Sequence, residues 1–377
     1  DDAIEIRRKN YVQSSDLGQT KDPVIPFDSC DFDKTTDISL LNSSFENFES
    51  RKNDSEKRNK LRGVGISYYV ERTQGEGQED SRIIVSSDGK VKVFTGTMAT
   101  GQGHETAWTQ IVVEKLGVNP EAVSIHFGDS NDLPSGGGTG GSKSLYFAAG
   151  AINDASNNVL TKGMEIAANE LEASIDEIEY NTDSGPLFEV KGTNRNIDLF
   201  SVAKIAEEKS NTKSLDGISA YEHKDPTYPN GCHICEVEID PKTGKVAFCD
   251  YVVVEDVGTV LSPDLVEGQM HGGVAQGIGQ ALGETLLFDQ QGQLLTGSFL
   301  DYQMPVASDF PSFCIMTIAI PTANNPLGAK GVGEAGTVGA LAATMNAVAD
   351  ALASAGVDDF EMPATPYRVW QALQSSA

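Results

Sequence analysis

Beyond residue 62 the chain alternates between apolar residues at a spacing of two and apolar residues at helical spacing. Val64-Gly65-Ile66-Ser67-Tyr68-Tyr69-Val70 reads as a strand. Arg82-Ile83-Ile84-Val85 and Val91-Lys92-Val93-Phe94 read as a hairpin about the Asp88-Gly89 turn. His104 to Leu116 carries Trp108, Ile111, Val112 and Leu116 on one helical face and stops at Gly117. Val123 to Phe127 is a strand, and a glycine loop from Ser135 to Ser144 leads into a helical stretch from Ala148 to Glu172. A second series begins near Gly231. Cys235-Glu236-Val237-Glu238-Ile239-Asp240, a Pro-Lys-Thr-Gly turn and Lys245 to Glu255 make another hairpin. Leu265 to Leu282 reads as a helix despite its glycines, each of which costs about 1 kcal/mol relative to alanine. Those glycines are expected to admit a close approach of backbone or ligand. Phe313 to Ile320 is a strand and Thr337 to Ala353 a helix.

This alternation indicates an α+β chain of two mixed α/β lobes. The expected boundaries are a connecting arm at 1–62, a first lobe at 63–230 and a second at 231–377. The arm is polar and poorly periodic, with a mixed-charge run from Glu49 to Arg62 that reads as a solvated helix. A faint repeat relates Gly101-Gln102-Gly103-His104 to Gly268-Gln269-Met270-His271. Coincidence and internal duplication explain it equally well. The opening Asp1-Asp2-Ala3-Ile4-Glu5-Ile6-Arg7-Arg8-Lys9-Asn10 has a helical look and no initiator Met, so we expect a piece of something longer.

Composition narrows the function. With Lys+Arg 28 against Asp+Glu 55, the net charge of −27 disfavours nucleic acid and anionic membranes as partners. The five cysteines, Cys30, Cys232, Cys235, Cys249 and Cys314, are too scattered for a disulfide framework and point to a reducing, cytoplasmic setting. Cys232-His233-Ile234-Cys235 is a C-x-x-C, but no second pair follows at zinc-site spacing, and the alternation places it on a strand. No metal ligand is assigned.

Three glycine-rich loops carry the candidate chemistry. Thr95 to Thr106 combines converging backbone N–H groups with Gln102 and Thr106 side chains at the start of a helix. Ser135 to Ser144 offers serine, threonine and lysine donors, and a flexible linker is its alternative reading. Asn325 to Gly336 places one carboxylate, Glu334, among small apolar neighbours at a helix start. A poorly solvated carboxylate there has a raised proton affinity and suits a general base. Gly331-Val332-Gly333-Glu334-Ala335-Gly336 also matches G-x-G-x-x-G. Pro326 argues against the strand that a dinucleotide fingerprint needs before its first glycine.

In combination and order these loops are specific. Gly101 to Thr106, Gly140 to Ser144, Val266 to Gly279 and Asn325 to Gly336 resemble segments of the xanthine dehydrogenase/aldehyde oxidase family, in the C-terminal part of its molybdenum-binding large subunit. Asn230 to Asp240 is similar to the bacterial carbon monoxide dehydrogenase-like branch. The resemblance implies a molybdopterin cofactor, in its cytosine dinucleotide form, within two related α/β lobes. It implies that Gln102, Gly103, His104, Thr106, Gly140, Gly141, Ser142, Lys143 and Ser144 hold the pterin and diphosphate. It further implies that Gln269, Lys330, Gly331, Val332 and Gly333 lie near pterin or metal, and that Glu334 is the catalytic base. Lys143 stands where the family commonly has arginine, which keeps the charge but loses the planar fork. Ser262-Pro263 stands where Asn-Pro is usual, which puts a turn-capping contact in question.

The same resemblance implies partners: the upstream half of the large subunit, an FAD-binding medium subunit and a 2Fe-2S small subunit, assembled as a dimer of heterotrimers. The expected function is that of a molybdenum hydroxylase, oxidising carbon monoxide or hydroxylating a carbon centre with oxygen from water, and the chain alone is expected to be inactive. The rival readings are a cofactor-less module that docks other subunits and an NAD-dependent dehydrogenase.

Overall fold

A computed structural model of the protein describes residues 2–17, 27–133, 135–209 and 214–375. In chain order the elements are α1 (Ala3–Asn10), α2 (Phe32–Asn42), α3 (Phe48–Lys57), β1 (Leu61–Val70), β2 (Gly77–Val85), β3 (Val91–Thr95), α4 (His104–Leu116), β4 (Val123–Phe127) and α5 (Ser144–Glu170). They continue with β5 (Ile178–Asn181), β6 (Leu187–Val190), β7 (Asn196–Asp198), α6 (Leu199–Lys209), β8 (Leu215–His223), β9 (Asn230–Ile239) and β10 (Val246–Asp256). Helix α7 (Pro263–Leu282), β11 (Cys314–Ile318), α8 (Ala335–Ala353) and α9 (Pro366–Ser375) complete the chain. The mixed α/β class is as expected.

Contacts divide the chain into two compact units: residues 1–72, 227–322 and 330–377 form one, and residues 73–226 and 323–329 the other. These differ from the expected boundaries at 62/63 and 230/231. The reason is β1, which pairs antiparallel with β9 from Leu61↔Ile239 to Val70↔Asn230 and therefore belongs with the later strands.

In the first unit the sheet order is β1-β9-β10-β11. Strand β10 runs antiparallel to β9 and parallel to β11. Alternate residues of the sheet, Cys235, Val237, Ile239, Tyr251 and Val253, pack on α7, α8 and α9. The intervening ones, Ile66, Cys232 and Ile234, pack with Ile4 and Leu40, while Val252 and Val254 pack with Ile38. Both faces are covered, which is why β9 is buried nearly throughout.

The residues expected to form a solvated arm supply that second cover. Helix α2 escaped detection because its buried face is Phe32, Thr35, Thr36 and Ser39. The hydroxyls of Thr35, Thr36 and Ser39 donate to the carbonyls of Asp31, Phe32 and Thr35, so a polar face is buried at little cost. Helix α3 is fixed by charge: Arg51 donates to both carboxylate oxygens of Glu236 at 3.0 and 2.7 Å, and Arg58 pairs with Glu238.

In the second unit the order is β4-β3-β2-β8, and a separate small sheet is β5-β6-β7. Strand β2 is antiparallel to β3 and β8, and β3 is parallel to β4. The two main sheets share one plan. A hairpin (β2-β3 or β9-β10) is followed by a helix (α4 or α7) and a strand parallel to the hairpin's second strand (β4 or β11). A long helix (α5 or α8) comes next and lies on the hairpin's first strand and a fourth strand, β8 or β1.

Glycine sets the distance at that fourth strand in each unit. A Cβ on Gly63 or Gly65 would stand 2.1 Å from the carbonyl oxygen of Ala347 or Ala343 of α8. One on Gly217 of β8 would stand 2.1 Å from that of Ala155 of α5. Gly65→Ala is therefore expected to destabilise the first unit by about 3 kcal/mol, an overpacking cost, read as a lower urea midpoint.

Candidate functional site

Strand β3 feeds the loop Gly96–Gly103 and strand β4 the loop that ends at Lys143, as expected for ligand loops at the carboxyl ends of parallel strands. The structure brings these two loops together. A Cβ on Gly96 would lie 2.2 Å from Cα of Gly136, and one on Gly136 would lie 2.6 Å from Cα of Gly96. The Thr139 hydroxyl donates to the Met98 carbonyl at 2.5 Å. Gly138, Gly141 and Ser142 adopt positive φ of 66°, 62° and 52°, a conformation that glycine takes readily and serine rarely.

Beneath them lies Glu79 of β2, a residue with no motif around it. It is fully buried and accepts from the Thr95 hydroxyl, the Thr97 N–H and the Gly137 N–H at 2.9, 2.8 and 2.6 Å. The sequence signal that could have found it was the acid pair Glu79-Asp80 on a strand whose neighbours are buried.

The expected residues fall as follows. Gly103, with φ 73°, is the N-cap of α4, and the Gln102 side chain accepts from the Thr100 N–H at 2.6 Å. Thr106 and Gly140 are exposed, as is Gly141, whose carbonyl accepts from the Gln74 N–H. Ser144 begins α5 and Lys143 is its N-cap. Lys143 is buried, with its ammonium 5.2 Å from the centre of the Phe147 ring and no carboxylate at ion-pair distance among the described residues.

His104 is buried against Trp108 with ring centres 4.6 Å apart. Burial lowers its pKa, opposed by the charge of Glu105. Among the described residues, the buried Thr97 hydroxyl, His104 Nδ1 and Trp108 Nε1 have no hydrogen-bond partner. Unpaired buried polar atoms are costly, so three beside one loop mark a place for a polar ligand. Together with the Lys143 ammonium and the exposed glycine backbone, this donor set fits a phosphorylated cofactor. A cavity of about 380 Å³ between Thr95, Phe127 and Leu133 does not, because Asp129 and Asp132 line it.

In the other unit, Gly331 is held by its N–H donating to the Thr227 hydroxyl at 3.2 Å. Lys330, expected near the cofactor, is bonded within its own unit. Its N–H donates to the Val257 carbonyl, and its ammonium donates to Asp256 at 2.6 Å and to the Ser29 carbonyl at 2.8 Å, in full burial. Burial raises the Asp256 carboxyl above its ordinary value and the Lys330 ammonium opposes that rise. Lys330 is an anchor for the loop that follows it.

Glu334 also differs from expectation. It is the N-cap of α8, its side chain does not cap the helix, and it is exposed rather than poorly solvated. Its small neighbours serve helix packing. A Cβ on Gly336 would meet the Met270 carbonyl of α7 at 2.8 Å, and Gly273 and Gly277 of α7 face α8 in the same way. Gly333 is exposed beside Glu334, Val332 is half-buried, and Gln269 is half-buried on α7. Ser262 sits at the N-cap of α7 without a side-chain cap bond.

Below α8 lies a network that sequence reasoning missed. Fully buried His233 and Glu255 meet at 2.7 Å, the Tyr69 hydroxyl donates to Glu255 at 2.5 Å, and His233 Nδ1 meets the Tyr251 hydroxyl at 3.1 Å. Burial, and then the charge of Glu255, push the Tyr69 phenol well up, so it stays a donor. Only glycine fits above them: a Cβ on Gly339 would stand 2.4 Å from His233, and one on Gly231 would stand 2.0 Å from Glu255.

Cys232 and Cys235 point to opposite faces of the sheet. Among the described residues no group of three or more His, Cys, Asp or Glu is placed to hold a metal ion, and no helix is long and apolar enough to cross a membrane. The G-x-G-x-x-G match has no strand before it, since β11 ends at Ile318.

A family model described as molybdopterin cofactor-binding domain matches residues 40–311. The chain belongs to that family. Within it, the nicotine 6-hydroxylase large subunit of Paenarthrobacter nicotinovorans is 34% identical over 98% of this chain and 47% of its own length. The carbon monoxide dehydrogenase large chain of Hydrogenophaga pseudoflava is 32% identical over 99% of this chain and 48% of its own. The solved carbon monoxide dehydrogenase from Oligotropha carboxidovorans superimposes with a TM-score of 0.89 at 27% identity, covering 100% of this chain and 49% of that one. The chain thus spans about half the length of these relatives.

Two measurements check the geometry. Because the folded pKa of His104 is depressed, its contribution to stability is present above the unfolded value of 6.5 and is lost as pH falls through the folded value. An NMR titration is expected to give a midpoint below 6.5. Lys330→Met is expected to cost about 3–5 kcal/mol, because it strands a buried carboxylate. Adding Asp256→Asn removes that charge and should recover part of the lost urea midpoint.

Proposed function

We propose that the chain is the cofactor-binding portion of the large subunit of a molybdenum hydroxylase. The observation that carries this is the pair of joined glycine loops, with unpaired buried polar atoms and a buried lysine, in a chain that matches the molybdopterin family over residues 40–311. When bound, the cofactor supplies the two-electron redox chemistry. The chain supplies position and charge.

Gln102, Gly103, His104, Thr106 and Gly140 to Ser144 would hold the pterin and its diphosphate, the cytosine dinucleotide form being our reading. Backbone N–H groups of the first loop other than those of Thr97 and Thr100 would donate to the ligand, and the Lys143 ammonium would neutralise phosphate charge as a point cation. His104, its pKa lowered by burial, would offer its Nδ1 to the ligand. In the other unit Gln269, Gly331, Val332 and Gly333 would contribute contacts near pterin or metal, held in place by Lys330.

Glu334 would act as the general base, taking a proton as substrate is oxidised. Its exposure leaves it accessible for that transfer. The substrate class is carbon monoxide, an aldehyde or an electron-poor heterocycle, in a cytoplasmic enzyme. Partners would be the remaining half of the large subunit, an FAD-binding subunit and a 2Fe-2S subunit. Exposed Leu286, Leu287, Phe288, Phe299 and Leu300 support a chain that works against more protein.

Glu334→Gln in the full-length enzyme is expected to leave the molybdenum content intact and to lower kcat by about a thousandfold or more. Turnover within tenfold of wild type would remove Glu334 from the base role. The 377-residue chain alone is expected to oxidise none of these substrates.

A further inference from the structure

Glu79 reaches both glycine-rich loops of its unit with one carboxylate. Its Oε1 accepts from the Thr95 hydroxyl and the Thr97 N–H, which bracket Gly96, while its Oε2 accepts from the Gly137 N–H of the opposite loop. The backbones meet at Gly96 and Gly136, where neither residue tolerates a Cβ. Backbone contact between glycines has little attraction of its own, since no side chains interlock. The Thr139 hydroxyl, donating to the Met98 carbonyl, is a further link between the loops. The carboxylate is the group that joins three donors from two loops at a single buried point.

Its position relative to Lys143 adds a second role. A Cβ on Gly137 would stand 3.0 Å from Glu79 Oε2 and 3.4 Å from Lys143 Nζ, so acid and amine flank the same glycine. Lys143 is buried without a carboxylate at ion-pair distance among the described residues. A negative charge a short way behind it offsets the cost of burying the ammonium, and leaves its donors for an outside anion.

We propose that Glu79 is a positioning residue that clamps the two loops into the geometry in which they hold the cofactor diphosphate. The proposal rests on the molybdopterin reading of these loops. Glu79 acts on the ligand only through Thr97, Gly137 and Lys143.

The test is Glu79→Gln in the full-length protein. The amide keeps the size of the side chain but turns a donor toward one of the loops. Molybdenum and cofactor phosphate per chain are measured, together with amide exchange at Thr97 and Gly137. Loss of charged hydrogen bonds predicts a fall in bound cofactor of about tenfold or more, and exchange about tenfold faster at those two amides. Peptides from α5 and β8 should keep their protection. A merely structural role would lower protection throughout the unit, and that result overturns the proposal. Wild-type cofactor content with unchanged exchange at both amides overturns it as well. Glu79→Asp keeps the charge but is one methylene short of spanning the loops, so wild-type behaviour there would show that charge alone suffices and would also overturn it. If the wild-type protein carries no molybdenum, the functional reading fails instead, and exchange at Thr97 and Gly137 still decides whether the clamp exists.

Discussion

Each unit is organised by one close approach, in which a long helix lies on a strand at backbone distance. Gly63 and Gly65 allow it for α8 on β1, and Gly217 allows it for α5 on β8. A side chain at any of these positions would lift the helix from the sheet. The constraint matters because it holds the helix against the sheet, and each helix begins with a residue to which we assign a role in the proposed function. Lys143 is the N-cap of α5 and Glu334 the N-cap of α8. Precision in a loop usually comes from the rigid elements that flank it, and here it comes from glycines well away in sequence.

The polar interiors of the two units solve different problems. Under α8, His233, Glu255, Tyr69 and Tyr251 bond one another in complete burial, and Lys330 is tied to Asp256 at the foot of the Glu334 loop. Such networks contribute less to net stability than to uniqueness: breaking one member strands a charge or a donor. In the other unit the buried carboxylate Glu79 joins two loops, and three buried atoms without a partner among the described residues, on Thr97, His104 and Trp108, lie in and just after the first of them.

Much of this was legible in the sequence, for reasons that can be named. The hairpins and α4 follow simple periodicity, and the boundaries of α4 and β4 agree with expectation to the residue. Helix α2 was hidden because its buried face is hydroxyls bonded to their own helix, which hydropathy counts as polar. Strand β1 was visible, but its partnership with β9 is non-local and shifted the unit boundary to near residue 72. In the site, the glycine loops announced themselves by composition. The ion pair of Lys330 was not legible, because a lysine in a glycine loop reads as a ligand contact and its carboxylate partner lies on a distant strand. Glu334 was judged dry from its small neighbours, which pack inward on α7 and leave the acid itself outside. Glu79 carried no motif, and only its three donors reveal it.

The shared plan puts opposite charges at equivalent helix starts, and the helix dipole treats them differently. The positive end of a helix disfavours a cation and favours an anion by about half a kcal/mol. At α8 the Glu334 carboxylate is already compatible with that field. At α5 the Lys143 ammonium stands against it, and the two positive sources add. An anion arriving there relieves both at once, so this helix start gains more from occupancy than a neutral one would. The same architectural position thus carries a cation against the helix field in one unit and an anion aligned with it in the other.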